Sequence, residues 1–113
     1  MENSQVKVQT IVDLSHFELG ETITGSVYLS EPEPFDGEID IVVIKREKNG
    51  EDEVLDTISL NPVGDNVSKE VRKIPFMFIP DERWEVTEEQ KIILQTLKRL
   101  NQDLLGEVEI TYG

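Results

Sequence analysis

Few residues in this chain could do chemistry, and their spacing argues against most reactions. Asp13, Ser15 and His16 place a carboxylate, a hydroxyl and an imidazole in one short stretch. A nucleophilic triad draws such groups from separate elements, because side chains this near in sequence seldom converge on one atom. His16 is the only histidine and there is no cysteine, so a tetrahedral zinc site lacks its donors. His16 is therefore read as a turn residue. Glu31, Glu33, Asp36 and Glu38 form one acidic stretch, and Glu51, Asp52 and Glu53 form another. Both could offer oxygens to calcium, yet neither has the ligand spacing or the glycine placement of an EF-hand loop, and solvated charged loops are expected. There is no phosphate-binding glycine loop and no dinucleotide fingerprint. Trp84, which follows the turn Pro80-Asp81-Glu82-Arg83, is expected to plug the end of a core rather than to serve as a ligand platform. The sequence thus assigns no catalytic, cofactor-binding or metal-ligating residue and predicts a protein that is not an enzyme.

The scaffold under these residues is bounded by length and charge. A chain of 113 residues makes one domain, 1–113, able to bury roughly 65% of its unfolded surface without disulfides. The absence of cysteine fits a reducing compartment, and the start M-E-N-S-Q-V has neither the basic region nor the apolar run of a signal peptide, so a cytoplasmic location is expected. No apolar segment approaches the roughly 18–20 residues that a membrane-spanning helix needs. The chain carries 24 acids against 11 bases, a net charge of −13. Residues 13–56 alone hold 13 acids and three bases, while seven of the eleven bases fall between Lys69 and Arg99. Such a charge repels phosphate backbones and anionic lipid, which disfavours nucleic acid and membrane surfaces and favours a basic protein partner.

The elements read mainly as strands. In Phe17–Leu29, a Gly20-Glu21 turn precedes Ile23, Gly25, Val27 and Leu29 on one face and Thr22, Thr24, Ser26 and Tyr28 on the other. That period of two with one apolar row marks a strand lying on a core, and Gly25 in the buried row predicts a large side chain packed over it. A first strand spans Val6–Leu14, with Val6, Val8, Thr10, Val12 and Leu14 in one row; the turn Ser15–Glu21 follows. Strand Glu38–Glu47 carries Ile39, Ile41 and Val43 on one face, with Val42 and Ile44 making the other partly apolar. Asn49-Gly50 signals a hairpin to the strand Val54–Leu60. After the turn Asn61–Asn66, a strand over Val67–Ile79 has Ile74, Phe76 and Phe78 inward, and Pro75 marks it as an edge or a bulge. Val108, Ile110 and Tyr112 alternate in a final strand. The segment Thr87–Leu105 carries two patterns. T-E-E-Q has capping-box spacing, Ile93, Leu97, Leu100 and Leu104 recur at helical intervals, and Gly106 could stop a helix. As a strand, it would set Ile92, Leu94, Thr96 and Leu100 on one face and Ile93 and Leu97 on the other.

About seven short strands separated by Gly/Pro turns predict an all-β, antiparallel, immunoglobulin-like sandwich. Within that class, Phe17-x-x-Gly20-Glu21-x-Ile23-x-Gly25-x-Val27-x-Leu29 resembles the opening of arrestin-like domains. Ile74-Pro75-Phe76-x-Phe78-x-Pro80 resembles a later strand of that family, and Leu94-Gln95-Thr96-Leu97 the strand after it, most closely in the bacterial and archaeal sporulation-control branch. The resemblance covers most of Val6–Tyr112 and implies strand rather than helix over Thr87–Leu100. Arrestins usually carry two such sandwiches, whereas these residues form one. The phosphate-sensing and receptor-binding features of the animal proteins have no counterpart that can be placed on this sequence.

The leading expectation for function is a non-catalytic adaptor that binds a protein partner, a basic one on grounds of charge, with homo-oligomerisation through sheet edges as a further route. Pro75 and the charges Lys69, Glu70, Arg72 and Lys73 would blunt one edge, leaving Val6–Leu14 or Glu107–Tyr112 as docking strands. The alternative is a calcium-dependent carbohydrate-binding or adhesion sandwich, and a third is an acidic mimic of nucleic acid that occupies a basic groove.

Overall fold

The computed structural model describes residues 7–30, 39–60, 71–99 and 102–113. Eight strands form two sheets: β1 (Lys7–Val12), β2 (His16–Phe17), β3 (Ile23–Ser30), β4 (Ile39–Arg46), β5 (Asp52–Leu60), β6 (Val71–Phe78), β7 (Lys91–Lys98) and β8 (Asp103–Tyr112). The three-stranded sheet has the order β1-β3-β6 and the five-stranded sheet the order β2-β8-β7-β4-β5. All pairings are antiparallel except that of β2 with β8. The expected all-β sandwich is therefore what folds. The expected acidic stretch at 31–38, the turn Asn61–Asn66, the start of the Val67–Ile79 strand, and Val6 and Leu100 lie outside the described residues, as does the side chain of Leu29.

The strand at the centre of the smaller sheet follows its sequence pattern. Ile23 and Val27 are fully buried, and Gly25 sits across from Val12 on β1 and Phe76 on β6. Opposite them, Ile39, Ile41 and Val43 of β4 and Ile92 and Leu94 of β7 are completely buried and Ile110 of β8 nearly so, while Phe78 of β6 lies buried beside Ile23. Two apolar rows face each other, one from each sheet, which is how a sandwich excludes water from its centre. Trp84 closes one end at 1% exposure, its ring 6.0 Å from Phe78 and 6.3 Å from Tyr112, the core plug that its position suggested.

One expectation is corrected, and one open alternative is decided. The N-terminal strand does not run to Leu14: it leaves the smaller sheet after Val12 and re-forms as β2, pairing in parallel with Thr111 and Tyr112 of the other sheet. Phe17 becomes fully buried there, whereas Leu14, in the crossing, is 47% exposed. Counted as one switching strand, β1 and β2 give the seven strands expected; counted apart, they give eight. In its described residues the Thr87–Leu105 segment is not a helix but a turn at Thr87–Gln90, β7 and the start of β8, as the family resemblance implied. Gly106 accordingly stops nothing and lies within β8, across from Thr96.

The local signals behind the helical reading survive as a turn. The Gln90 side chain accepts from the Thr87 N–H (2.9 Å), while the Gln90 N–H donates to the Thr87 carbonyl (3.1 Å). Half of a capping box is made, but β-strand follows it because Ile92, Ile93 and Leu94 are all buried, on both faces of the sheet. The β4–β5 hairpin closes as predicted: Gly50 takes φ +92°, its N–H donates to the Glu47 carbonyl, and Asn49 accepts from the Glu51 N–H. Only a residue tolerant of positive φ fits that corner cheaply.

Candidate interaction surface

The residues nearest to a catalytic constellation are separated by the strand switch. Asp13 turns to the smaller sheet, where its Oδ2 accepts from the Thr24 hydroxyl at 2.6 Å. His16 turns the other way, with Nδ1 2.7 Å from Thr111 Oγ1. Ser15 contributes its backbone, its carbonyl accepting from the Thr111 N–H (3.0 Å) and hydroxyl (3.2 Å). Each group holds the crossing chain to a different strand, and the three do not face a common point. Beside the crossing, Leu14, His16, Leu19 and Gly20 line an open hollow together with Glu18 and Glu21. The Gly20 N–H donates to the Tyr112 hydroxyl at 2.7 Å, which anchors the rim of that hollow to β8.

Of the hairpin acids, Asp52 is held by a cation. Asp52 receives two hydrogen bonds from Arg46, at 2.8 and 3.1 Å, and that guanidinium holds its carboxyl below the usual carboxylate range. Arg46 also reaches Glu107 at 3.9 Å, and Gln95 donates to the same Glu107 oxygen at 2.8 Å. This network lies across the solvent side of the larger sheet, over Ile44 and Ile93, which are 3% and 6% exposed. Among the described residues, no three His, Asp or Glu side chains gather into a metal-sized cluster.

The strand edges are finished unequally. On β6, Pro75 pairs with Ser26 of β3 and has no N–H to offer a further strand. On β5, a bulge opposite Val43 and Ile44 leaves Leu55 without a partner on β4. Its carbonyl accepts from Arg83 Nη2 at 2.7 Å, and the nearby Thr57 N–H donates to the Asp56 carboxylate at 2.8 Å. Arg83 is aimed there by Asp81, which caps the Glu82–Trp84 3₁₀ turn and holds the guanidinium at 3.1–3.3 Å. Sequence reading gave Arg83 and Asp56 no role. The only local cue was the Pro-Asp-x-Arg turn, which does not say which carbonyl the guanidinium will meet. The inner face of β1 rests on β7 and β8: Thr10 Oγ1 lies 2.6 Å from Thr96 Oγ1 and 3.9 Å from where a side chain on Gly106 would begin. Of the two docking strands expected, then, β1 is packed against the other sheet, and β8 is paired by β2 only at Thr111 and Tyr112.

No family model and no curated protein matches the chain. Solved structures do match its fold. The sporulation control protein Spo0M from Bacillus subtilis is similar over 95% of this chain and 49% of its own, with a TM-score of 0.63 and 17% identity. The alkylpurine DNA glycosylase AlkC from Pseudomonas fluorescens, solved bound to DNA containing an abasic site analog, is similar over 99% of this chain and 31% of its own, with a TM-score of 0.58 and 18% identity. The chain thus spans about half of one of these proteins and about a third of the other. The likeness to Spo0M supports the arrestin-like sandwich implied by the motifs around Gly25 and Phe76.

Proposed function

We propose that this chain is a non-catalytic protein-interaction module of arrestin-like fold whose partner presents a basic surface. The observation that carries this reading is the charge: an excess of 13 negative charges, weighted toward residues 13–56, on a sandwich where Asp13 and His16 bond to different strands rather than to each other. Paired in this way, they shape a surface rather than a reaction centre. An acidic surface of this kind accelerates encounter with a cationic partner and repels anionic ones. The DNA in the glycosylase complex belongs to that protein; a net charge of −13 repels a phosphate backbone. The described residues include no helix long and apolar enough to cross a membrane, and the module is read as acting in the cytoplasm.

The test is capture from an extract of the native cell at graded ionic strength. A basic protein retained at low salt and released as salt rises is the expected result. Retention of no protein at any ionic strength, or turnover of a small molecule by the purified chain, overturns the reading.

A further inference from the structure

Adding a strand to a sheet needs a row of outward N–H and C=O groups without partners. Two edges of this sandwich lack such a row: β6 carries Pro75, and β5 has its Leu55 carbonyl and Thr57 N–H taken by Arg83 and Asp56. The β1 edge carries no acid from Lys7 to Val12 to meet a basic strand. The outer side of β8 differs. There the Thr111 and Gly113 N–H groups donate to the Ser15 and Phe17 carbonyls, each at 3.0 Å. Strand geometry repeats every second residue, so the N–H groups of Glu109 and Glu107 point the same way. Among the described residues, no strand pairs with β8 on that side ahead of Thr111.

The side chains along this stretch say what would pair there. Glu107 and Glu109 are exposed on the outer face of the larger sheet, beyond the bulge that leaves Leu105 without a partner on β7. We propose that the β8 edge at Glu107–Glu109 takes an extended basic segment of a partner protein as an added strand. The proposal rests on the interaction-module reading and gives it a location. Opposite charges directly across a strand pair attract, and like charges repel. A second copy pairing β8 against β8 would oppose the same acids and bring together two chains of charge −13. A segment with lysine or arginine at alternate positions instead meets Glu107 and Glu109.

The probe is a short blocked peptide of alternating lysine and valine, titrated into isotope-labelled protein. Expected are saturable amide shifts and slowed hydrogen exchange at Glu107 and Glu109, with a peptide bearing glutamate for lysine showing neither. Glu109→Pro removes one outward donor and should abolish the response; Glu109→Gln keeps the donor and should weaken it. If Glu109→Pro does not fold, a peptide methylated at alternate backbone nitrogens, tested on the unaltered protein, should fail to bind. Unchanged amides at 107–109, shifts confined to β5, an equal response to the glutamate peptide, or a concentration-dependent dimer protected along β8 each overturn the proposal. A cellular partner held equally well by folded Glu109→Pro protein overturns the edge and leaves the interaction-module reading standing. Failure to capture any partner bears on that reading alone, because the peptide titration decides the edge by itself.

Discussion

Gly25 and Phe76 stand directly across from each other in the β3–β6 ladder, and the phenyl ring occupies the space that a side chain on Gly25 would need. A Cβ added there would lie 2.6 Å from the ring Cζ and 2.5 Å from the Ile11 carbonyl oxygen. The ring end could shift; the carbonyl belongs to the β1 backbone and could not without disturbing the ladder. Gly25→Ala should therefore destabilise the protein by about 1–3 kcal/mol through overpacking. Removing the ring by Phe76→Ala should cost about 3–5 kcal/mol. Adding Phe76→Leu to Gly25→Ala should recover only part of the alanine penalty, because the Ile11 contact persists. Denaturant melts measure all three, and full recovery in the double variant would show that the backbone contact is without weight.

A second relationship crosses between the sheets. Thr96 is fully buried on β7, and its hydroxyl meets that of Thr10 at 2.6 Å above Gly106, where no side chain intervenes. A buried hydroxyl deprived of its partner keeps its desolvation penalty, about 1–3 kcal/mol, whereas removing both partners can be nearly neutral. Thr10→Val and Thr96→Val should each destabilise, and the double variant should cost clearly less than the sum of the two. A double-mutant cycle measures the coupling. Additive single effects would mean that the two hydroxyls find other partners.

Most of the core was legible because its rows obey a period of two. Ile23 and Val27, Ile39, Ile41 and Val43, and Phe76 and Phe78 were assigned inward from alternation alone and are buried. The Thr87–Leu105 segment was harder, because Ile92, Ile93 and Leu94 are buried on both sheet faces and a continuous apolar run carries no strand period. Its helical spacing was real but tertiary pairing with β4 and β8 overrode it. The two-residue strand β2 could not be read, since His16 and Phe17 are ordered by Thr111 and Tyr112 nearly a hundred positions away. The capping of β5 by Arg83 was hidden for the same reason: the Leu55 carbonyl is reached only after the chain has folded back.

Calcium offers a separate check, on the acids of 31–38 and of the hairpin. If those carboxylates are solvated and singly paired, millimolar calcium should raise the melting temperature no more than a matched ionic strength of monovalent salt, which already screens self-repulsion at −13. Thermal melts in calcium, magnesium and sodium chloride at equal ionic strength make the comparison. A saturable shift specific to calcium and lost in Asp36→Asn with Glu38→Gln would favour the adhesion-module alternative.

The Asp81–Arg83 pair links local electrostatics to the state of the β5 edge. Hydrogen bonds from the Arg83 side chain, and then from its N–H, hold the Asp81 carboxyl below the ordinary carboxylate range. A carboxyl whose folded-state pKa is depressed contributes stability above its unfolded value, about 3.9, and loses that contribution as pH falls through the lower folded value. The loss is thus confined to acid below about pH 4, and near neutral pH the pair is intact. An NMR titration should give Asp81 a midpoint below the ordinary carboxylate range, moving back toward that range in Arg83→Ala. The same variant frees the Leu55 carbonyl, so its β5 edge should exchange amide hydrogens faster and gain a tendency to self-associate at high concentration. Because both side chains are solvent-exposed, the pair itself adds little to global stability, and a large drop in denaturation midpoint at neutral pH would assign Arg83 a packing role instead. An unchanged Asp81 midpoint together with unchanged β5 exchange would mean that the guanidinium does not guard that edge in solution.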